Sequence, residues 1–410
     1  MKTRKLSKRF QEDLKLLNHK HQVFNIYISS EKNRAIFMDN KELFYSLVLK
    51  HTPGIGPRTW KKLIEIFKSA QSAVANSHMW MSIGISSSVV NALNKKTWKK
   101  KVSKEIELIK KSKSKYLLLS DPEYPKQLFE IPDPPIIIYC AGNLSLLKNP
   151  CIAIVGARKI DTLSQKLTLS IATNLSKKGI TIVSGLAVGV DTIAHRGGLK
   201  HEGSTIAVLG TGIDVNYPAP NVYLKETIKK SGLVISEFPS STPPASENFP
   251  IRNRIISGLS LGVLVVQAAK KSGSLITASY ALDQNRLIFS IPGPINNPAF
   301  EGNNELIKNG AILITNAEDI LSEIKYQVDQ STWSQDKIHE KEPTHQQDHG
   351  ILNNLSKKIL DFIKNKGEAG IDQMCDDLDI GPSELTSQLI QLEVEGKVKR
   401  DMTNKYYIPN

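Results

Sequence analysis

Short apolar runs alternate with amphipathic segments over much of this chain, most clearly between Cys151 and Leu199. Cys151 to Val155 is an apolar, β-branched run, which predicts a buried strand that ends at Gly156, where the chain can turn sharply without a Cβ. A helix is predicted next by apolar residues at four-residue spacing, namely Leu163, Leu167, Ile171 and Leu175. Ile180 to Val183 predicts a second strand. Two buried strands joined by a helix form a βαβ unit, which is typical of parallel sheets.

The same alternation continues on both sides of this unit. Further apolar runs predict strands at residues 116–119, 136–140, 205–209, 233–236, 261–266, 287–291 and 311–314. Strands that alternate regularly with helices indicate an α/β fold, so we predict a doubly wound, Rossmann-like parallel sheet over about residues 116–325. Ligands of such folds bind outside the carboxyl ends of the strands.

Residues 41–115 have a helical pattern instead. Glu42 to Phe67 predicts two helices around the turn Pro53-Gly54-Ile55-Gly56-Pro57, which resembles a helix-hairpin-helix (SAM-like) domain. In such a motif the glycine turn brings backbone N–H groups close to a nucleic-acid phosphate, but a turn between two packed helices explains the pattern equally well. The lysine-rich stretch Ser82 to Tyr116 predicts a solvated helix face that can also act as an auxiliary phosphate-contacting surface.

Both ends of the chain differ from these domains. Residues 1–40 form a polar extension, for which we expect a loose helix or disorder, and Met38 is an alternative start of translation to Met1. Residues 326–350 are polar and aperiodic, which predicts a linker. Residues 351–410 follow a winged-helix pattern, but the third predicted helix carries acidic residues and no Lys or Arg. Binding of DNA and contact with a protein partner therefore both remain open for this module.

Charge and composition narrow the class of protein. The net charge of +14 is almost wholly N-terminal, because residues 1–120 hold 25 Lys/Arg against 8 Asp/Glu. Such an excess suits a polyanionic partner, although solvated lysine faces are common. Three cysteines without metal-ligand spacing indicate reduced thiols, and we expect no metal and no cofactor. With no membrane-spanning run and no signal peptide, we expect a cytoplasmic protein that does not bind membranes.

Six motifs follow one another along the chain: IVGARKIDTLSQ, IVSGLAVGVDTIAHRGGL, AVLGTGIDVNYPAPN, SENFPIRNRIISGLS, VLVVQAAKKSGSLITASYALDQNR and IPGPINNPAFEGNNELIKNGA. In this order they resemble the motifs of the DNA processing protein A family, also called DprA or Smf. The resemblance covers about residues 116–325 strongly and the two flanking domains more weakly. It departs from the family at Gln267, where members commonly have a glutamate.

The resemblance implies a protein that binds and protects single-stranded DNA and helps to load the RecA recombinase during natural transformation. It also implies a homodimer built through the α/β domain. Single-strand binders need cations along the backbone and planar groups on which bases stack. Residues of these kinds, together with small residues that leave backbone N–H groups open, should converge at the carboxyl edge of the sheet. The candidate DNA-binding residues are Gly156, Arg158, Lys159, Ser184, Gly185, Gly189, Phe249, Arg252, Asn253, Arg254, Lys270, Lys271, Ser272, Gly273, Ser274 and Thr277.

Structural roles compete with these assignments. The arginines can instead form ion pairs with Asp191, Glu237 or Glu247, the residues around Gly273 can simply cap a helix, and Phe249 can anchor the core. A Ser184, Asp191 and His195 hydrolase is disfavoured because Ser184 does not lie in a GxSxG elbow. A dinucleotide-binding enzyme is also disfavoured, because this chain has no GxGxxG signature after its strands. The stronger rival is a Rossmann-type nucleotide phosphoribohydrolase, but the stretch KSGSLITASYALD lacks the catalytic glutamate that such enzymes carry. We therefore expect a non-enzymatic protein.

Overall fold

The computed structural model describes residues 31–112, 114–327, 349–378, 380–394, 397–401 and 405–409. These residues form two compact units, one up to residue 327 and the other from residue 349. The predictions made for residues 1–30 and for most of the linker lie outside the described residues.

The first unit begins with a group of helices. They are α1 (Glu31–His51), α2 (Pro57–Phe67), α3 (Ala70–Ala75), α4 (Ser87–Asn94) and α5 (Lys99–Ser112), with a 3-10 turn at Ser77–Ile83. The glycine turn predicted from the sequence lies between α1 and α2, and Gly54 takes a positive φ of 85° there. Such a conformation favours glycine, which has no Cβ to clash with the following carbonyl. The buried side chains of these helices belong to the same hydrophobic core as residues of the sheet.

Within the described residues the sheet has nine strands, and each lies within two residues of its predicted position. They are β1 (Lys115–Leu118), β2 (Ile137–Gly142), β3 (Cys151–Val155), β4 (Thr181–Ser184), β5 (Thr205–Leu209), β6 (Leu233–Ser236), β7 (Gly262–Val265), β8 (Leu287–Ser290) and β9 (Ile312–Leu313). Their order in the sheet is β1-β2-β6-β5-β4-β3-β7-β8-β9. The central strands are buried on both faces, which explains why their sequences are continuous apolar runs.

Seven of these strands, from β6 across to β9, run parallel. The prediction of a parallel sheet is wrong for β2, which runs antiparallel to both β1 and β6. An apolar run records that a strand is buried but not the direction in which it runs, and an antiparallel edge is common on such sheets. From β3 the chain proceeds through β4, β5 and β6 on one side and then returns to place β7 on the other. The switch point therefore lies between β3 and β7.

Helices connect and cover the strands. They are α6 (Lys126–Glu130), α7 (Thr162–Lys177), α8 (Val190–Gly198), α9 (Val222–Ser231), α10 (Asn248–Gly258), α11 (Gly273–Asp283), α12 (Glu301–Lys308) and α13 (Ala317–Ile324). Asp161 caps α7 by accepting a 2.8 Å hydrogen bond from the Ser164 amide. Gly197 lets α8 pack closely on α7, because a Cβ at that position would lie 2.6 Å from the Cβ of Ala172.

A buried carboxylate joins the helical group to the sheet. Glu105 of α5 accepts hydrogen bonds from Lys50 at 2.7 Å and from the Tyr139 hydroxyl at 2.5 Å, and its other oxygen lies 2.5 Å from His51 Nε2. Burial by itself would raise the pKa of Glu105, but the Lys50 charge and these hydrogen bonds outweigh it and lower the pKa to about 2. The carboxylate therefore stays ionised between α1, α5 and β2.

The second unit has its own small core. It comprises α14 (His349–Lys366), β10 (Glu368–Gly370), α15 (Ile371–Leu378), α16 (Pro382–Val394), β11 (Lys399–Arg400) and β12 (Lys405–Tyr407). The three strands form an antiparallel sheet in the order β10-β12-β11. Its buried residues include Ile359, Ile363, Leu385, Leu389 and Tyr406. Across the described ranges of both units, every helix is too short or too polar to span a bilayer.

Candidate nucleic-acid interface

A cleft of about 810 Å³ opens at the switch point of the sheet. Its walls come from the loops after β3, β4, β5 and β6, from α10 and from the amino end of α11. Ten of the sixteen candidate residues line it: Gly156, Arg158, Gly185, Phe249, Arg252, Asn253, Ser272, Gly273, Ser274 and Thr277. The topology therefore brings together residues that lie as far apart in the chain as Gly156 and Thr277.

Arg252 forms part of the cleft floor. Its side chain is buried, and Nη1 donates hydrogen bonds to the carbonyl oxygens of Gly185, at 2.7 Å, and Val208. Nε donates to Asn253 Oδ1 at 3.1 Å. Burial lowers the pKa of Arg252 to about 10, against the opposing charge of Asp191, so the guanidinium remains cationic at neutral pH. Arg252 therefore supplies a fixed positive charge beneath the cleft, while Nη1 binds two backbone carbonyls and Nε binds the Asn253 side chain.

The loop after β4 is held from inside the protein. Asp191 Oδ2 accepts hydrogen bonds from the amides of Gly185 and Ala187, at 3.1 and 3.2 Å. Burial raises the pKa of Asp191, and the Arg252 charge and these amides act against that rise. The Gly185 amide, which the sequence suggests is open to an anion, is thus already occupied by a carboxylate. The contribution of Gly185 to the cleft is instead the space that its missing Cβ leaves for Arg252.

Gln267 orders the turn after β3. Its carbonyl oxygen accepts a 2.7 Å hydrogen bond from the Ala157 amide, and its side-chain Oε1 accepts one of 3.3 Å from the Asp161 amide. The side-chain oxygen thus serves as a buried acceptor, a role that a glutamate also fills. Between these two anchors the turn exposes Arg158 at the rim of the cleft. Arg158 is therefore a solvent-accessible cation held on a fixed backbone.

The amino end of α11 points into the cleft. Ser272 caps this helix and accepts a hydrogen bond from the Ser274 amide at 3.4 Å, with the two hydroxyl oxygens 2.7 Å apart. Gly273, the first residue of the helix, is exposed, and a Cβ there would meet nothing within 4 Å. Helix capping, the alternative role for this segment, is therefore present. The first turn still offers backbone N–H groups and the positive end of the helix dipole to an anion.

Two aromatic rings form another wall. The Tyr217 and Phe249 ring centroids lie 5.6 Å apart at an angle of 30°, and both residues are half-buried and line the cleft. Phe249 also packs against Gly210, where a Cβ would come within 2.7 Å of the ring. Tyr217 was not among the candidate residues. The sequence signal for Tyr217 is its position a few residues after a predicted strand, where ligand-binding loops lie. That signal does not reveal the stacking partner, because Phe249 lies 32 positions later in the chain.

Six candidate residues do not line the cleft. Arg254 is buried and bound to Glu237, and it donates to the Asp133 carbonyl at 2.5 Å. The Arg254 side chain is thus occupied by a structural ion pair. The expectation that all the cations converge at the carboxyl edge of the sheet is wrong for this residue, because helix positions two residues apart face different directions. Ser184 is buried, and Gly189 packs against the turn after β3. The remaining three candidates are lysines with exposed side chains outside the cleft, namely Lys159, Lys270 and Lys271.

Residues 115–325, which contain the whole cleft, match the model of the DNA recombination-mediator protein A family. The chain belongs to this family. Among its relatives is a protein Smf from Synechocystis sp., which is 38% identical over 70% of this chain and 74% of its own length. The DNA processing protein DprA of Streptococcus pneumoniae is 43% identical over 50% of this chain and 72% of its own.

A solved structure of DNA processing protein A from Streptococcus pneumoniae is also similar. It has a TM-score of 0.59 and 36% sequence identity, and it covers 67% of this chain and 95% of the solved one. The recombination-mediator domain therefore has the fold that the six sequence motifs predict. The resemblance stated from those motifs is confirmed.

In this member of the family, the hydrolase-like residues are structural. Ser184 is fully buried and donates to the Ile154 carbonyl at 2.7 Å. His195 Nε2 accepts a 3.2 Å hydrogen bond from the Leu186 amide, and Nδ1 lies 2.7 Å from Thr205 Oγ1. Because the Thr205 hydroxyl already donates to the Ile182 carbonyl, Nδ1 carries the proton. The imidazole thus has no free nitrogen with which to activate a serine.

Proposed function

We propose that this chain is a non-enzymatic recombination mediator that binds single-stranded DNA in the cleft. One observation carries the proposal: an aromatic pair, an exposed arginine and an open helix N-terminus share a single cleft. Stacking surfaces and cations are the two elements that sequence-independent single-strand binding requires. Membership of a family of DNA recombination mediators supports the same assignment.

Each wall has a distinct task in this proposal. Phosphates lie between the Arg158 guanidinium and the first turn of α11, above the buried charge of Arg252. Bases stack on the ring surface presented by Tyr217 and Phe249. Residues 121–350 hold 21 Lys/Arg against 22 Asp/Glu, so the positive charge is local to the cleft rather than spread over the domain. The cleft therefore selects a flexible strand that can present phosphates and unpaired bases together.

The cleft gives little support to the rival phosphoribohydrolase. Within the described part of the chain, Asp191 is the one carboxylate among the residues that line it. That carboxylate is buried and accepts two backbone amides beside Arg252. Glycosidic cleavage needs an acid or base that can reach the substrate. Incubation with nucleoside monophosphates should release no free base, and release that disappears in an Asp191→Asn variant would favour the enzyme instead.

Titration of an oligo-dT strand at several salt concentrations tests the proposed site. Arg158→Ala should weaken binding and flatten the salt slope by about one unit, because one phosphate contact is lost. Arg158 is exposed and has no ion pair among the described residues, so the substitution should leave thermal stability unchanged. Lys177→Ala removes an equally exposed charge at the opposite edge of the sheet and serves as the control. Equal affinities for both variants and the native protein would refute the cleft as the DNA site.

Adding Arg252→Ala to Arg158→Ala should flatten the slope by about one to two units in total. This second change also removes a buried hydrogen-bonded group, so thermal unfolding has to be measured alongside binding. Loss of affinity without loss of the folded state assigns the effect to the cleft.

We propose further that the bound strand is protected, then delivered to RecA, and that the chain forms a homodimer through the recombination-mediator domain. The segment 282–313 supports the dimer, because Leu282, Ile295 and Leu313 are large apolar residues that are exposed there. Leu313 lies on β9, the edge strand of the described sheet. Leu282→Lys with Leu313→Lys should shift the mass measured by light scattering from dimer to monomer, and an unchanged mass would place any dimer elsewhere.

The second unit is proposed to act as a winged-helix module that contacts a protein partner. Two features support this: the three helices and the three-stranded antiparallel sheet of its described residues, and the sequence of α16, which has Glu384 and Glu393 and no basic residue. Lys399→Gln with Arg400→Gln, at two exposed positions of β11, should then leave the affinity for single-stranded DNA unchanged. A marked loss of affinity would assign this module to the DNA as well.

A further inference from the structure

Exposed lysines cluster on α5 and in the turn between α4 and α5, outside the cleft. Seven of them form what we call the lysine surface: Lys95, Lys96, Lys99, Lys100, Lys101, Lys104 and Lys111. Among the described residues, none of the seven forms an ion pair within 4 Å. Glu107 is the one exposed carboxylate on α5, since Glu105 is buried. The surface therefore carries a large uncompensated positive charge.

Helix geometry concentrates part of this charge on one line. Lys100, Lys104 and Lys111 are spaced by four and seven residues, so they share one face of α5. The opposite face is buried through Val102, Glu105 and Ile109. Packing of that buried face fixes the orientation of the helix, and the lysines must consequently face the solvent.

The sheet register places Glu105, in the middle of α5, near the edge where the cleft opens. Glu105 meets Tyr139, and Tyr139 pairs with Ser236, the last residue of β6. Lys50, which binds Glu105, also donates to the carbonyl of Glu237 at 3.4 Å. The carboxyl end of β6 is thus in contact with the group that holds α5, and the same edge one strand further on, at β5, forms a wall of the cleft.

The cleft includes residues at the end of β5, and β2, whose Tyr139 contacts Glu105 of α5, lies two strands away, which corresponds to about 10 Å at ordinary strand spacing. The lysines lie on the face of α5 opposite Glu105, so they are about one helix diameter, roughly 10 Å, beyond that contact. Single-stranded DNA that continues from the cleft on this side by several nucleotides can therefore reach the lysine surface. Lysine ammonium groups on flexible stems suit phosphates without regard to base sequence.

We infer that the lysine surface binds the phosphates of the same DNA strand beyond the segment held in the cleft. The inference rests on the proposed function, because it assigns the path of the strand that the cleft binds. It makes the helical group of the first unit an extension of the DNA site. The cleft contributes stacking and a fixed anchor, and the lysine surface contributes charge along the continuing backbone.

Binding of a short and a long oligonucleotide separates the two parts. A triple variant, Lys100→Gln, Lys104→Gln and Lys111→Gln, should bind a deoxythymidine tetranucleotide as the native chain does. It should bind a thirty-nucleotide strand about tenfold more weakly, and the salt slope for that strand should fall by about two units, since three lysines leave the phosphate path. Thermal unfolding should not change, because all three side chains are exposed.

The matched control is Lys177→Gln, Lys178→Gln and Lys200→Gln. These lysines are also exposed, but they precede β4 and β5 and so lie at the amino edge of the sheet, away from the cleft. The control should bind both oligonucleotides normally. Three results would each overturn the inference. The control variant could weaken binding as much as the triple variant does, the triple variant could weaken binding of both oligonucleotides equally, or the triple variant could bind the long strand normally.

Arg158→Ala, measured in the same series, distinguishes this inference from the proposed function. It should weaken both oligonucleotides, because both occupy the cleft. If Arg158→Ala weakens DNA binding but the triple variant binds the long strand normally, the path over α5 is refuted and the cleft remains the DNA site. Normal binding of both oligonucleotides by Arg158→Ala would refute the cleft, and with it a path that starts there.

Discussion

Arg252 donates a 2.7 Å hydrogen bond to the carbonyl of Gly185, a residue 67 positions earlier in the chain. The contact is so close that a Cβ on Gly185 would lie 2.7 Å from the guanidinium carbon. A glycine is thus required at this position to let a buried cation reach the floor of the cleft. Two distant motifs, one after β4 and one in α10, are locked together by this pair.

Gly185→Ala should displace Arg252 and lower both DNA affinity and stability. We expect a cost of about 1–3 kcal/mol in the free energy of unfolding, which is typical of overpacking a buried site. Gly381→Ala is the matched control, since a Cβ there meets nothing within 4 Å. Calorimetry and oligo-dT titration measure the two effects, and an alanine at position 185 without either consequence would show that Arg252 tolerates movement.

Removing the Tyr217 ring should weaken single-strand binding through lost stacking. Tyr217→Leu should cost about 1–3 kcal/mol of binding free energy, whereas Tyr217→Phe keeps the ring and should bind nearly as well as the native chain. An abasic oligonucleotide keeps the phosphates but has no bases to stack. Its affinity should therefore be the same for Tyr217→Leu and the native protein, and a loss there would mean that Tyr217 acts through the backbone of the DNA.

His195 should make the first unit less stable in mild acid. Burial, with a smaller effect of the Arg252 charge, lowers the pKa of His195 to about 3. The unfolded chain, with an ordinary pKa near 6.5, therefore binds more protons between these values. The contribution of the neutral imidazole to the free energy of unfolding is fully present above pH 6.5 and is lost as the pH falls towards 3. The loss between pH 7 and pH 5 should be about 2 kcal/mol.

His195→Gln isolates this effect, because glutamine keeps one donor and one acceptor but does not titrate. The change in melting temperature between pH 7 and pH 5 should shrink in this variant. His201→Gln, at an exposed position, should leave the change as it is in the native chain. An identical pH response in all three proteins would contradict a buried neutral imidazole.

Glu105→Gln should loosen the helical group from the sheet. The substitution leaves Lys50 beside a neutral amide, and breaking a buried ion pair of this kind costs about 3–5 kcal/mol. In the native chain, the low pKa of Glu105 means that its contribution is present above pH 4.5 and is lost as the pH falls towards 2. Limited proteolysis should cut residues 41–112 sooner in this variant than in Glu107→Gln, which removes an exposed carboxylate from the same helix.

The sequence alone determined where the strands and most helices lie. Buried strands such as β3 and β5 must be continuously apolar, so an apolar run with a glycine turn marks them without knowledge of their neighbours. The six ordered motifs also identified the family, and they placed the candidate residues after strands of one sheet. Local chemistry suffices for such conclusions, because each depends on residues close together in the chain.

The tertiary structure decided which of those residues face the cleft. Arg252 and Arg254 stand two positions apart on α10, about 200° around the helix, so one reaches the floor of the cleft and the other pairs with Glu237. Tyr217 acquires its role from Phe249, and the direction of β2 follows from its neighbours in the sheet. These outcomes depend on contacts between segments far apart in sequence. Such contacts are selected by the packing of the whole domain, and not by the local conformational preferences of the chain.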